Sequence, residues 1–539
     1  MDIKELLSVY AAHPQINAIG SLSGRDEARS VLLTGLNGSG GAVAIASLFR
    51  QRGGCFLCLM NDLEEAGYFY NDLMQLTGGK QVYFFPSAYH RHIKYGHTDA
   101  AAEILRTEVL SMLQADEPSF IIVSYPDAVA EKVLSKSILR ENTLMIHAGE
   151  KLDPIFVADV LDTYHFEQTD YVYEPGQYAI RGSIMDIFSF SNEYPYRVDF
   201  FGNEVDSIRA FDVETQLSKE KLNEIRIIPE ISRYDTANHQ LAELLPAGAT
   251  LVTHDMEWCR ERIDSLWEEE PVNKDDEGFA DREAMRRKLV RADDFVQATA
   301  SLRHIRFHAR PDDASAVLRI DTSPQPLFQK NFERVSEAFK QYIADGYTIY
   351  LLSDSEKQIE RIRAIFEDRG EAIAFTAVNR ALHEGFIDHS LRCCFLTDHQ
   401  IFGRFHKYNL KSDKVRSGKI VLSLKELSQF TSGDYIVHID HGVGQFGGLV
   451  RTEVNGKIQE AVKLIYRNND ILFVSIHALH KLSKYKGKDG EAPALNKLGS
   501  GAWEKMKDRT KKKVKDIARD LIRLYAARRG EKGYAFSPD

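Results

Sequence analysis

The sequence predicts a multidomain α/β protein on three observations. Apolar runs alternate with helical stretches over the first 150 residues, closely spaced strand-and-turn patterns fill 171–228, and a compact all-β pattern begins at Ser432. The first pattern is that of βαβ units in a parallel sheet, and the second that of an antiparallel α+β insertion. At 539 residues the chain is too long for a single core.

In the first part, 31–34 is a short apolar run suited to a buried parallel strand and 42–50 reads as a helix. The connection from Gly35 to Ala42 reads GLNGSGGA. The phosphate-binding template is G-x-x-x-x-G-K-[ST], in which backbone amides cradle phosphates, the lysine reaches the β/γ oxygens and the hydroxyl holds Mg²⁺. Gly35 and Gly40 keep the glycine spacing, with Gly38 between them, but Gly41 replaces the lysine and Ala42 the hydroxyl. This is either a nucleotide scaffold without its chemistry or an ordinary Gly-rich strand-to-helix turn. Further runs at 55–60, 82–85 and 120–124 and a helix over 103–113 complete this part.

The pattern 171–228 (YVYE, QYAIRG, SIMDIFSF, YRVDFF, EVDSIRAFD) interrupts that rhythm, and the buried-strand run 249–253 with a helix from 256 restores it. A phosphate-loop enzyme needs an Asp at the end of such a strand to hold Mg²⁺. Thr253 and His254 stand there instead. A further α/β unit follows Pro324, with helices over 328–343 and 357–369 and strands at 348–353 and 391–397, and 398–419 reads as a linker. The all-β segment carries a hairpin signal at Asn455-Gly456. A helix over 502–529 closes the chain, with an apolar stripe from Trp503 to Leu524. The expected boundaries are 1–150, 151–246 (inserted), 247–322 (return to the first domain), 323–425, 426–497 and 498–539.

Other constellations carry little chemistry. Cys55 and Cys58 have CxxC spacing inside one apolar strand and lack a second pair, so core burial explains them. His90, His92 and His97 lack acidic or cysteine companions at metal spacing. No catalytic and no metal-binding residue is assigned. Five scattered cysteines do not make a disulfide framework, there is no secretory pattern, and no run of about eighteen apolar residues occurs. A reducing cytosol is the expected location. The net charge of −10 argues against a whole surface that grips nucleic acid. The 505–532 segment, with Lys511, Lys512 and Lys513 consecutive, is basic. It is either the solvated face of an amphipathic helix or a DNA contact.

Two stretches carry a family resemblance. EPGQYAIRGSIMDIFSFSNEYPYRVDFFGNEVDSIRAFDVETQ (174–216) resembles the inserted domain shared by UvrB and the transcription-repair coupling factor Mfd, which docks onto UvrA in those proteins. HIDHGVGQFGGL (438–449), with NKLGSGAWEKMK (496–507), resembles the polymerase-interacting domain of the coupling-factor family, a small antiparallel β domain of Tudor/CarD-like type, and the start of its connecting helix. The resemblance implies the N-terminal half of a longer bacterial, cytoplasmic protein, monomeric and non-catalytic. It would bind UvrA and the RNA polymerase β subunit. ATP, Mg²⁺ and most contact with double-stranded DNA would belong to a motor outside this chain. The rival reading is a UvrB-like or helicase-type repair protein with residual ATP or DNA binding, but UvrB keeps an intact phosphate loop and has no polymerase module.

The resemblance places Arg181 and Arg197 on the UvrA-facing surface. Asp199 and Phe201 follow Arg197 at strand period two, on the same face, as an acidic partner and an aromatic anchor. The sequence departs from UvrB at Ala179, where UvrB carries another arginine of the set. In the polymerase module the resemblance implies an edge strand at Leu449, Val450, Arg451, Thr452 and Glu453 that extends a sheet of the β subunit.

Overall fold

The computed structural model describes the chain except residues 1–2, 23–29, 80, 89–99, 115–118, 170–171, 173–174, 191, 193, 213–216, 230–238, 269–285, 308–315, 405, 407, 409–429, 455–456, 476–480, 486–492, 500, 504, 508 and 510–539. It divides into two compact units, residues 1–415 and 416–539.

The first unit is built on a seven-stranded sheet. Its order is Ala316–Arg319, Ser30–Thr34, Arg303–Phe307, Thr250–Thr253, Cys55–Leu59, Phe120–Ser124 and Val82–Phe84, with every pair parallel. Both faces are covered, which is why the central strands read as continuous apolar runs in place of alternating ones. Helix Gly40–Arg52 buries every residue from Ala42 to Phe49, with helices Ile3–Ala11, Pro14–Leu22 and Leu63–Thr77 packed around it. Helix Leu63–Thr77 starts where the Asp62 carboxylate accepts the Glu65 amide at 2.8 Å. It stops at Gly78, whose left-handed backbone closes the last turn.

The insertion is a six-stranded sheet in the order Ser218–Leu222, Glu204–Phe211, Tyr196–Phe201, Ile184–Phe188, Gln177–Arg181, Glu167–Gln168. All pairs are antiparallel except the last. Helix Pro154–Thr163, capped by Asp153, covers one face by packing Val157 and Leu161 with Tyr178, Met185, Val198 and Val205. The pairing moves the expected 151–246 boundaries. Leu144–His147 already pairs with Glu224–Ile227, whereas His239 bridges Val133 and Leu241 and Leu244 join the first domain's core.

A third sheet orders Thr322–Pro324, Phe386–Asp388, Cys393–Thr397, Thr348–Leu352 and Thr376–Val378, flanked by helices Phe332–Ala344 and Glu356–Asp368. The linker expected over 398–419 begins instead as the short helix Asp398–Ile401. Tyr408 is buried against Gly67, where any Cβ would overlap its ring. Phe402 and Tyr408, two of the aromatic residues that obscured periodicity there, are packing groups.

The second unit is a five-stranded antiparallel sheet: Ile471–Ser475, Lys457–Ile465, Gly442–Val454, Tyr435–His438, Leu482–Lys484. Ile436, Phe446, Val462, Leu464, Tyr466, Val474 and Leu482 form its core. Val454 faces Lys457 across the predicted hairpin, whose Asn455-Gly456 turn lies outside the described residues. Trp503 Nε1 and Lys507 Nζ both donate to the Ile439 carbonyl at 2.9 Å, which seats the start of the terminal helix on this sheet. Most of that helix, Lys511, Lys512 and Lys513 included, lies outside the described residues, as do His90, His92 and His97. Among the described residues no helix is long and apolar enough to cross a membrane, and no cluster of three or more His, Cys, Asp or Glu residues could hold a metal.

Candidate functional site

The Gly-rich loop lies where the template requires, between strand Ser30–Thr34 and helix Gly40–Arg52. Its polar groups are spent on the chain's own backbone. The Ser39 amide donates to the Glu384 carbonyl at 3.1 Å, and the Glu384 amide donates back to Ser39 Oγ at 3.0 Å. Asn37 Nδ2 donates to the Thr322 carbonyl at 2.9 Å, and Thr322 Oγ1 donates to the Gly35 carbonyl at 2.6 Å. The His383 amide donates to Asp72 Oδ1 at 2.8 Å. The glycines make this approach possible: a Cβ on Gly38 would lie 2.8 Å from the Gly385 carbonyl, and one on Gly35 would overlap that of Ile320. The Phe386 ring lies against Gly40 and the Phe307 ring against Gly41.

The catalytic side of the crevice is equally altered. Thr253 Oγ1 bonds His304 Nε2 at 2.7 Å, and His254 Nδ1 lies 2.7 Å from Asn61 Nδ2 and 3.3 Å from Glu65 Oε1. Burial, assisted by the Arg306 charge, pushes His304 down to about 4 and keeps it neutral. Burial pushes Asp72 up to about 7. Cys55 and Cys58, three residues apart in one strand, point to opposite faces, and burial raises the Cys58 thiol far above its usual value. They cannot ligate one ion together.

The inserted domain packs one sheet face into its apolar core, and the other carries charged groups beside a small apolar cluster. Strand Tyr196–Phe201 alternates as the sequence predicts: Tyr196, Val198 and Phe200 are buried, while Arg197, Asp199 and Phe201 share the other face. Asp186 stands opposite Arg197 on one side and Ala179 on the other. Its carboxylate, 1% exposed, accepts Arg197 Nε at 2.8 Å and Nη2 at 2.9 Å, and also Arg181 Nη2. Asp186 thereby holds Arg197 more firmly protonated than an ordinary arginine, and the Arg197 guanidinium also stacks 4.2 Å from the Phe211 ring centre. Asp199 accepts from Arg209 and from Ser207 Oγ, the latter at 2.9 Å. Phe201 is 82% exposed at the end of the strand. The structure thus gathers all four predicted residues on one face. It adds Asp186 and Arg209, which the sequence reading did not single out. A lone carboxylate inside the apolar run SIMDIFSF was the available signal, because such a charge survives burial only when paired.

In the second unit, Leu449, Val450, Arg451, Thr452 and Glu453 lie in strand Gly442–Val454. Gly442–Gln445 pair with Tyr435–His438, and at Gln445 and Phe446 the strand is bonded on both sides, by Tyr435 and Asp434 and by Ile465 and Leu464. An irregularity between Phe446 and Leu449 ends the two-sided pairing, and residues 449–454 then pair with 457–462 alone among the described residues. The predicted edge is therefore the second half of a strand that is internal only at Gln445 and Phe446. Leu449 is exposed beside that edge.

Comparison with known proteins agrees with this division. Residues 144–232 match the UvrB interaction domain family and residues 430–486 the CarD-like/TRCF RID domain family. The chain is 24% identical to the transcription-repair-coupling factor of Bacillus subtilis, a match that covers 94% of this chain and 49% of the relative. The same identity relates 95% of it to 50% of the corresponding protein of Staphylococcus aureus, and equally of Staphylococcus haemolyticus. The chain spans about half the length of the curated relatives it matches.

Proposed function

We propose that this chain, similar along 94% of its length to transcription-repair-coupling factors, is their adaptor half: it binds UvrA through the inserted domain and RNA polymerase β through the second unit, and so links stalled transcription to excision repair. The observation that carries the reading is the presence, in one chain and in this order, of a UvrB interaction domain and a CarD-like/TRCF RID domain. The charged face with its exposed Phe201 supports the first contact, since arginines and aromatics anchor protein interfaces. The one-sided strand 449–454 supports the second, since an open edge accepts a partner strand through main-chain hydrogen bonds.

This chain itself performs no nucleotide hydrolysis and needs no cofactor in this reading. Phosphoryl transfer depends on a lysine and a bound Mg²⁺ to stabilise developing charge, and Gly41 and Ala42 supply neither. The backbone of 383–386 lies in the loop, which counts against the rival reading of a nucleotide-dependent, UvrB-like protein. The decisive experiment is co-purification of one preparation with UvrA and, separately, with polymerase β. Retention of neither would overturn the adaptor reading, and ATP-dependent turnover by the pure chain would overturn its non-catalytic part.

A further inference from the structure

We infer that Asp186 is the positioning residue of the docking face: one buried carboxylate sets the orientation in which Arg181 and Arg197 are presented to the partner. The inference rests on the reading of this face as the UvrA contact and names what orders it.

Asp186 lies in strand Ile184–Phe188, between Gln177–Arg181 and Tyr196–Phe201, so both arginines reach it from neighbouring strands. Its direct neighbour on the Gln177–Arg181 side is Ala179, whose methyl group packs with Val172, Phe188 and Phe211 in a small apolar cluster. That small residue leaves the carboxylate open to Arg181, two positions further along the same strand. Arg197 is fixed on three sides, by two bonds to Asp186 and by the Phe211 ring. The Arg181 side chain is 30% exposed and that of Arg197 16%, so part of each faces solvent while its guanidinium is held by Asp186.

A free arginine on a strand samples many rotamers, and ordering it on binding costs affinity. A carboxylate that grips the guanidinium beforehand removes much of that cost, because the planar fork is rigid once one edge is held. The same carboxylate offsets the repulsion between two cations drawn to one spot. The partner chemistry that fits is a carboxylate-bearing surface with an apolar recess for Phe201. The face carries Arg181, Arg197 and Arg209 against Asp186 and Asp199, a net positive charge.

The test is a double-mutant cycle on the full chain, with affinity for purified UvrA as readout and binding to polymerase β as the control for fold. Asp186→Asn keeps the shape and removes the charge. It should weaken UvrA binding by about tenfold, as Arg181→Ala does, and the double variant should lose little more than either alone, because an unpositioned arginine has little left to contribute. A merely structural role would lower the melting temperature without this non-additivity. UvrA affinity unchanged in Asp186→Asn while Arg181→Ala loses it, or strictly additive losses, would overturn the inference. Arg181→Lys and Arg197→Lys keep Asp186 neutralised if the Asn variant does not fold. They should also lose affinity, and wild-type binding by both lysine variants would overturn the positioning role. If Phe201→Ala and all arginine variants bind UvrA normally, the docking reading itself fails.

Discussion

Ser39 and Glu384 exchange two hydrogen bonds, amide to carbonyl at 3.1 Å and amide to hydroxyl at 3.0 Å, across the mouth of the Gly-rich loop. The amide of Ser39 belongs to the backbone that a nucleotide-binding protein aims at phosphate. Here it is satisfied by a peptide carbonyl from the segment that leads into strand Phe386–Asp388 of the third sheet. The loop has become a socket for a neighbouring segment of the same chain.

It follows that restoring the two missing side chains will not restore the activity. Gly41→Lys with Ala42→Thr should show no ATPase activity above background and no heat of ATP binding in calorimetry. The lysine would meet the Phe307 and Phe69 rings, and the 383–386 backbone would still fill the loop. Turnover that depends on Mg²⁺ in this double variant would sink the argument.

The socket also gives the glycines a role without phosphate. Gly35 has φ +82° and no room beyond its Cα, whereas Gly54 has φ +94° and open space. Gly54→Ala should cost about 1–2 kcal/mol, the penalty of a left-handed backbone alone. Gly35→Ala carries the same penalty and must also displace the Ile320 carbonyl, so its urea midpoint should fall clearly further. Equal losses would mean that Ile320 yields freely.

Asp72, pushed up to about 7 by burial, makes the same seam sensitive to pH. The Ser39 hydroxyl and His383 amide favour its charged form and Glu384 opposes it, but burial dominates. An unfolded aspartate titrates near about 3.9. Between those values the folded chain holds a proton that the unfolded chain has released, so this group's contribution to stability falls as pH rises from about 4 to about 7 and then levels off. Asp72→Asn should therefore raise the melting temperature at pH 8, change it little at pH 4, and flatten the slope between. No gain at pH 8 would show that Asp72 is accommodated as a carboxylate.

Much of this was legible in the sequence, and the failures are physical. Continuous apolar runs such as FIIVS gave the parallel strands, and period-two alternation put Arg197, Asp199 and Phe201 on one face. Pairing between residues far apart was not legible. Nothing near Ser39 announces Glu384, 345 residues away. The 398–408 stretch failed for a related reason: Tyr408 is buried by a tertiary contact with Gly67, and such a contact leaves no local period.

The charge network changes how the docking face should be tested. Alanine at both Arg181 and Arg197 would leave Asp186 buried without a counter-charge, which costs about 3–5 kcal/mol of stability and confuses binding with folding. Phe201 is the cleaner probe because it is almost fully exposed. Phe201→Ala should leave the melting temperature unchanged and weaken UvrA binding by about 2 kcal/mol, roughly thirtyfold, if it is a buried anchor in the complex. Polymerase β binding should persist. Loss of both partners with an intact fold would be incompatible with two separate surfaces.

The edge proposed to meet polymerase can be probed through its amides. In an antiparallel ladder successive residues direct their N–H groups alternately toward and away from the paired strand. Between residues 449 and 454 only one side is paired among the described residues, so of two neighbours such as Arg451 and Thr452 one donates inward to 457–462 and the other faces the open edge. Proline removes the donor at either position. One of Arg451→Pro and Thr452→Pro should therefore destabilise the small sheet, seen as a lower melting temperature. The other should leave melting nearly unchanged and still abolish binding to polymerase β, because the lost hydrogen bond belonged to the partner strand. UvrA binding should survive in both. If the proline that spares the fold also spares polymerase binding, the partner does not add a strand at this edge, and the exposed side chain of Leu449 becomes the next position to test.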